Sequence, residues 1–313
     1  MINKEKSSRR SALRDMGSIG VAAALGTTFV SKNANAGSKK AVAFALIGDR
    51  WHNPDFISTA LTKTLIEEAG LTIDFTCEVK QLSAEILEDY KILIIYRDGM
   101  IYPGGYDVPF SIYDPEETEI ISEPPWPGFG GNTGMWMSPR KAGDPPFPRF
   151  DSTPQAWMTE EQGRAVKDFV KNGGGLYIYH NSTHISCTNK DYRDVIGAMY
   201  TGHPPLRPYK VHIVNRDHPI TRGVNDFIVT DGQHYVLYDK DPEYVFMRSI
   251  NEDGLEYTGS HGNQGVSCES GWAYDYGKGR ICVTLPGHMF VAMWNPEYIK
   301  IQQNAVKWLL REI

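Results

Sequence analysis

From Lys40 onward, short apolar runs alternate with segments whose apolar residues recur at helical spacing. That alternation restricts the chain to a sheet with helices packed on its faces. Ala41 to Ile47 reads as a buried strand. Asn53-Pro54 then supplies an N-cap with proline at the first helical position. Phe56, Ile57, Ala60, Leu61, Leu65 and Ala69 mark one helix face before Gly70 stops it. Leu71 to Phe75 reads as a second strand, Ser83 to Asp89 as a short helix, and Lys91 to Tyr96 (KILIIY) as a third strand. A βαβαβ start of this kind implies parallel strands.

Regular structure is expected again at Thr159, which forms a capping box with Gln162. Ala165, Val166, Phe169 and Val170 give the apolar face of that helix, and Gly173 its stop. Leu176 to Tyr179 reads as a short strand with His180 at its carboxyl end. Further strands are expected at Val211 to Val214, Phe227 to Thr230, Tyr244 to Met247 and Arg280 to Thr284. A last helix opens at Asn295-Pro296, with Ile299, Gln302, Val306 and Leu309 spaced for packing.

Two segments break this pattern. Residues 1–36 read as a signal peptide: Arg9-Arg10 supply a twin-arginine pair, Gly17 to Val30 a weakly apolar stretch, and Ala34-Asn35-Ala36 a cleavage site. The expected product is a periplasmic domain of residues 37–313. Within it, residues 99–158 carry eleven of the 19 prolines and ten aromatic residues, among them Trp126, Trp136 and Trp157. This composition suits an ordered insertion, a lid or binding loop, better than a disordered linker.

Charge narrows the function classes. Residues 1–36 hold six Lys/Arg and two Asp/Glu, so removing their +4 takes the formal charge from −6 to −10. A chain of that sign lacks the basic face that nucleic-acid binding requires. Outside residues 17–30 no apolar run approaches the roughly 20 residues of a membrane span. The four cysteines, Cys77, Cys187, Cys268 and Cys282, are too few for a disulfide scaffold, although an oxidising compartment permits one or two bridges.

In an open parallel sheet, ligands bind beyond the carboxyl ends of the strands. The first strand is followed by Asp49 and His52, and the third by Arg97-Asp98. The His180 strand leads into Asn181, Ser182 and His184, and the Arg280 strand into Gly287-His288. A single histidine at a strand end is ordinarily a loop residue, but several converging on one rim point to a site. His212, inside a strand, and His261, in a turn, receive no role. His203 and His218 precede prolines, so extended backbone accounts for them as well as function does. In Asp231-Gly232-Gln233-His234-Tyr235 an acid and an imidazole lie close enough for one to orient the other.

GGGLYIYHNSTH (Gly173 to His184), GAMYTGHPP (Gly197 to Pro205), DHPITRGVNDFIVTDGQHY (Asp217 to Tyr235) and YGKGRICVTLPGH (Tyr276 to His288) resemble, in order, motifs of the ThuA-like, trehalose-utilisation family. The resemblance covers most of Val42 to Asp98 and Thr159 to Leu310. It implies a flavodoxin-like, class I glutamine amidotransferase-like α/β fold: a mostly parallel sheet with helices on both faces and one long insertion. The family commonly has an acidic residue followed shortly by tyrosine where this chain reads Asp231 to Tyr235, and the 99–158 insertion is longer than a minimal member needs. Amidotransferases place a nucleophilic cysteine at the turn after the strand that here ends in His180, and Cys187 lies seven residues beyond. Glutamine hydrolysis is therefore not expected, and Ser182 lacks a glycine-flanked elbow.

Family members are associated with sugar catabolism in which a dehydrogenase first oxidises a glycoside to a keto-sugar. The expected partners are thus a small carbohydrate and, functionally, a sugar dehydrogenase; a homo-oligomer is compatible with this. Cleaving a keto-glycoside needs a base, an acid and a stabiliser of an enolate. His180, His234 and His288 are the expected reactive core, either as acid and base or as ligands of one divalent metal ion. Asp49, His52, Arg97, Asp98, His203 and Asp231 are the expected substrate-binding residues around it. The contrasting expectation is a non-catalytic periplasmic sugar-binding or accessory module that shares the fold.

Overall fold

A computed structural model describes residues 41–102 and 154–313. The expected signal peptide (residues 1–36) and residues 103–153 of the expected insertion, with Trp126 and Trp136, lie outside the described residues. Nine strands make one sheet: β1 (Ala43–Ile47), β2 (Ile73–Thr76), β3 (Ile92–Tyr96), β4 (Gly175–Tyr179), β5 (Arg207–Ile213), β6 (Phe227–Asp231), β7 (Val245–Ile250), β8 (Ser267–Tyr276) and β9 (Gly279–Thr284). Their order is β2-β1-β3-β4-β9-β8-β7-β5-β6. From β2 to β9 all neighbours are parallel; from β9 to β6 all are antiparallel.

The two halves differ because their sequences do. β1, β3 and β4 are buried at every position, as strands covered on both faces must be. β6 alternates buried and exposed residues, the signature of a sheet with one wetted face.

Successive side chains of a strand point to opposite faces, so the sheet has two cores. Ala43, Ala45 and Ile47 face α1 (Pro54–Leu61), which continues as a π-helical turn over Thr62–Glu67. On the other face Phe44 and Leu46 join Leu87 of α2 (Ala84–Leu87), Val166 and Val170 of α3 (Glu160–Lys171), and Tyr192 and Ile196 of α4 (Lys190–Ile196). Near the C-terminus, the short α5 (Phe290–Met293) and α6 (Pro296–Leu309) return to the first face. Among the described residues, no helix is long and apolar enough to cross a membrane.

The expected caps are present. Asn53 accepts from Asp55 N–H and Asn295 from Glu297 N–H, each ahead of a proline, and Thr159 and Gln162 form the reciprocal box. Three expectations need correction. Phe56 is 61 % exposed and packs on Phe290 at the surface, not in the core. Ile299 is only half-buried, and Ile301, Ala305 and Trp308 take its place in the apolar face of α6. The ten-residue β8 was not anticipated. All four cysteines are free thiols, with Cys268 and Cys282 buried.

Candidate active site

The carboxyl ends of β1, β3, β4 and β9 meet at one rim of the parallel half. There the loop after β1 brings Asp49 and His52 under the loop after β9, which carries His288. Asp49 is nearly solvent-free and accepts from the N–H groups of Trp51 (2.6 Å), His52 (3.0 Å) and Asp98 (2.7 Å) and from the Asn181 amide (3.0 Å). Its two oxygens also lie 2.9 and 3.0 Å from His52 Nδ1. Burial by itself raises a carboxyl, but the hydrogen bonds and charge of His52, with those of Asn181 and Asp98 N–H, hold Asp49 below its ordinary value. An ionised Asp49 takes the Nδ1–H of His52, which leaves the lone pair on His52 Nε2.

His180 follows β4 directly and has φ +49°, a left-handed conformation uncommon for a residue with a side chain. Only two non-glycine residues among those described have a positive φ, and the other is Arg311 at the chain end. This is the sharp turn where the resemblance expects a cysteine, and a short 3-10 helix, His180–Cys187, leads away from it. The ring is 0 % exposed. Its Nδ1–H donates to Leu285 O at 2.6 Å, and its Nε2 has no partner. Gly287 lets the β9 loop approach this closely: a Cβ there would stand 2.7 Å from the Tyr96 hydroxyl and 2.8 Å from His180 Cβ. The Tyr96 hydroxyl donates to Gly287 O, closing the contact.

Around His180 the other imidazoles gather. His234 stacks on it at 3.9 Å between centroids, and His203 stacks on His234 at 5.0 Å. His52 and His288 stand edge-on, with His52 Nε2 and His288 Nδ1 3.0 Å apart. One ligand nitrogen from each of His52, His180 and His288 lies within 4.8 Å of the others. The ligand group the geometry assembles is thus His52, His180 and His288; His234, expected as a ligand, stacks against it, and its buried Nδ1 has no partner. Burial, reinforced by mutual repulsion, holds His180 and His234 well below the ordinary imidazole value and takes His288 down to about 4. These three rings are neutral at pH 7.

A second acid and imidazole flank the cluster. His184 Nδ1 is 2.9 Å from Asp98, whose other oxygen accepts from Met100 N–H. Burial works against a charge on His184, but the Asp98 hydrogen bond and charge outweigh it and raise the ring above its ordinary value. Tyr200 links this pair to the cluster, with its ring 5.4 Å from His184 and 4.9 Å from His234. Sequence reasoning assigned no role to Tyr200 and left His184 without one. The available signal was the i, i+4 spacing of His180 and His184 after one strand.

Two expected substrate residues are held by protein partners. Asp231 is 0 % exposed and accepts from Gly287 N–H (2.5 Å) and Met289 N–H (3.0 Å), so it clamps the loop that carries His288. Burial pushes it up to about 7 against those backbone donors. Arg97 is buried, donates to Cys77 O at 2.9 Å, and lies over the Trp157 ring. Trp157 itself is buried and donates to Asp98 O. His203 is exposed at the outer end of the stack. Ser182 is 0 % exposed, with its hydroxyl donating to Ile95 O and accepting from Arg97 N–H, which removes it as a nucleophile.

A family model described as ThuA, trehalose utilisation, matches residues 149–309. No curated protein matches the chain in sequence. Among solved structures, a ThuA-like protein from Bacteroides uniformis ATCC 8492 is 14 % identical with a TM-score of 0.54, over 88 % of this chain and 94 % of that one. A ThuA-like protein from Parabacteroides merdae ATCC 43184 is likewise 14 % identical with a TM-score of 0.54, over 87 % and 90 %. At this identity the likeness bears on the fold: an α/β sheet of the expected class.

Proposed function

Because the chain belongs to the ThuA family of trehalose-utilisation proteins, we propose that it cleaves keto-sugar glycosides by imidazole acid–base chemistry. The observation that carries this reading is the meeting of His180, His234 and His288 at one rim, beside the Asp49–His52 pair. A ketone acidifies the C–H beside it. Removing that proton forms an enolate, whose electrons then expel the glycosidic oxygen as a new C=C bond forms; water adding later to that bond completes a hydrolysis.

The environments divide the roles. A base must be neutral and have a lone pair to use, as His234 has in its desolvated stack. The leaving oxygen needs a proton, and the Asp98-paired His184 holds one most readily. Periplasmic export through residues 1–36 and supply of substrate by a sugar dehydrogenase belong to the same proposal.

The test is turnover. Incubated with a 3-keto-glycoside, the purified protein should release the aglycone, and His234→Ala should reduce the rate at least about a hundredfold, the scale of a lost acid–base group. Saturable binding without conversion by the wild type would replace this reading with that of a sugar-binding module.

A further inference from the structure

We infer that His52, His180 and His288 form the three-histidine centre of one divalent transition-metal ion, with Asp49 and the Leu285 carbonyl as its outer supports. The inference rests on the keto-glycoside reading only for what the open coordination positions hold.

Three independent features point to a ligand. First, the Nε2 of His180 is wholly buried and without a partner, on a ring that His52, His234 and His288 surround. A buried nitrogen with a lone pair and nothing to accept from is costly unless something occupies that place. Second, both rings with a settled tautomer are fixed from behind through Nδ1: His52 by the Asp49 carboxylate and His180 by Leu285 O. Metal-bound histidines are held in this way, by a carboxylate or carbonyl on the distal nitrogen. Third, the ligand atoms already lie within 4.8 Å of one another. Metal–nitrogen bonds of roughly 2.0–2.1 Å in a tetrahedral set require about 3.4 Å between nitrogens, so the rings need to contract by little more than an ångström. His288 sits on the clamped β9 loop, half-buried, and is the ring with room to swing.

The donor set selects the ion. Three neutral imidazoles with no coordinating carboxylate or thiolate suit zinc or a neighbouring first-row ion, and disfavour magnesium and calcium. Three protein ligands leave at least one position open, as in catalytic rather than structural centres. An electrophile there is suited to the ketone oxygen, whose negative charge grows as the neighbouring proton leaves. That would supply the enolate stabiliser that the imidazoles alone do not provide.

The full chain, stripped with chelator and exchanged into metal-free buffer, should be titrated with Co²⁺ and, separately, with Zn²⁺. Its metal content should then be measured after gel filtration. About one ion per chain is expected, with a visible Co²⁺ absorption band typical of a nitrogen-ligated tetrahedral site. His52→Ala and His180→Ala should lose the stoichiometric ion, and Asp49→Asn should weaken binding roughly tenfold to a hundredfold. His234→Ala should retain the ion. Because His180→Ala removes a fully buried ring, His52→Gln serves as the second loss variant, with folding checked by circular dichroism. Folded wild type that retains no ion overturns the inference, as does a His234→Ala variant that loses the ion as completely as His52→Ala. Bound metal without turnover of the keto-glycoside would remove the proposed reaction and leave the centre standing. Folded protein that retains no ion yet turns over the keto-glycoside would remove the centre and leave the reaction.

Discussion

At the scale of the residue, His180 combines a strained backbone with a buried imidazole. Holding a side chain at φ +49° costs about 1 kcal/mol or more relative to glycine. His180→Gly should therefore unfold at a higher temperature than His180→Ala, although both lose the ring; an alanine variant at least as stable as the glycine one would show the backbone to be unstrained. Gly287 makes the complementary case, since Gly287→Ala forces a Cβ into Tyr96 and His180. It should lower keto-glycoside turnover at least about tenfold while costing 1–3 kcal/mol of stability, as overpacking does, measured by rate and by denaturant midpoint. Far from the site, His218 lies between Phe246 and Trp308, and its Nδ1 accepts from Ile220 N–H. Burial, then the charge of Arg280, takes it from 6.5 down to about 4. Between those values the unfolded chain binds a proton that the folded chain refuses, so stability falls as pH drops from about 6.5 to 4. His218→Asn, which can keep the cap but cannot titrate, should lose less melting temperature across that window than the wild type.

At the scale of the element, caps were the most readable feature. Asn53-Pro54, Thr159 with Gln162, and Asn295-Pro296 each need only two to four neighbouring residues to act, and each does so in the structure. Gln162 also reaches beyond its own helix, donating to Val79 O and Leu82 O. Thr159→Ala should therefore cost about 1 kcal/mol, and Gln162→Ala more, because the Leu82 carbonyl loses the Gln162 amide and the Val79 carbonyl is left with the Leu82 N–H; equal losses in denaturant midpoint would contradict this. What escaped reading depended on distant partners. The sequence of β8, SCESGWAYDY, holds only the short apolar run Trp272-Ala273-Tyr274 among polar residues, and its pairing comes from β7 and β9 on either side. His52 was recognisable as a rim residue, but its place in the ligand group depends on the β9 loop, 236 residues away. Asp231 read as a substrate acid because its target, the backbone of Gly287 and Met289, leaves no mark in residue type.

At the scale of the whole molecule, the sheet joins two regimes at β9, which is parallel to β4 on one side and antiparallel to β8 on the other. The site stands over the parallel half, and the antiparallel half supplies His234 and Asp231 from its outermost strand and the turn beyond it. If the three-histidine centre binds its ion, loading should raise the melting temperature of the entire domain in one cooperative step. At a hundredfold excess over the dissociation constant the gain is about 2.7 kcal/mol; two separated calorimetric transitions would show that the halves unfold apart. The imidazoles come from residues 52, 180, 184, 203, 234 and 288, close to the full span of the described chain. A polypeptide that ends before residue 288 lacks part of the constellation, however well the strands before it have formed. The candidate site is thus a product of long-range closure: no fragment of the described chain that omits the β9 loop can gather all six rings.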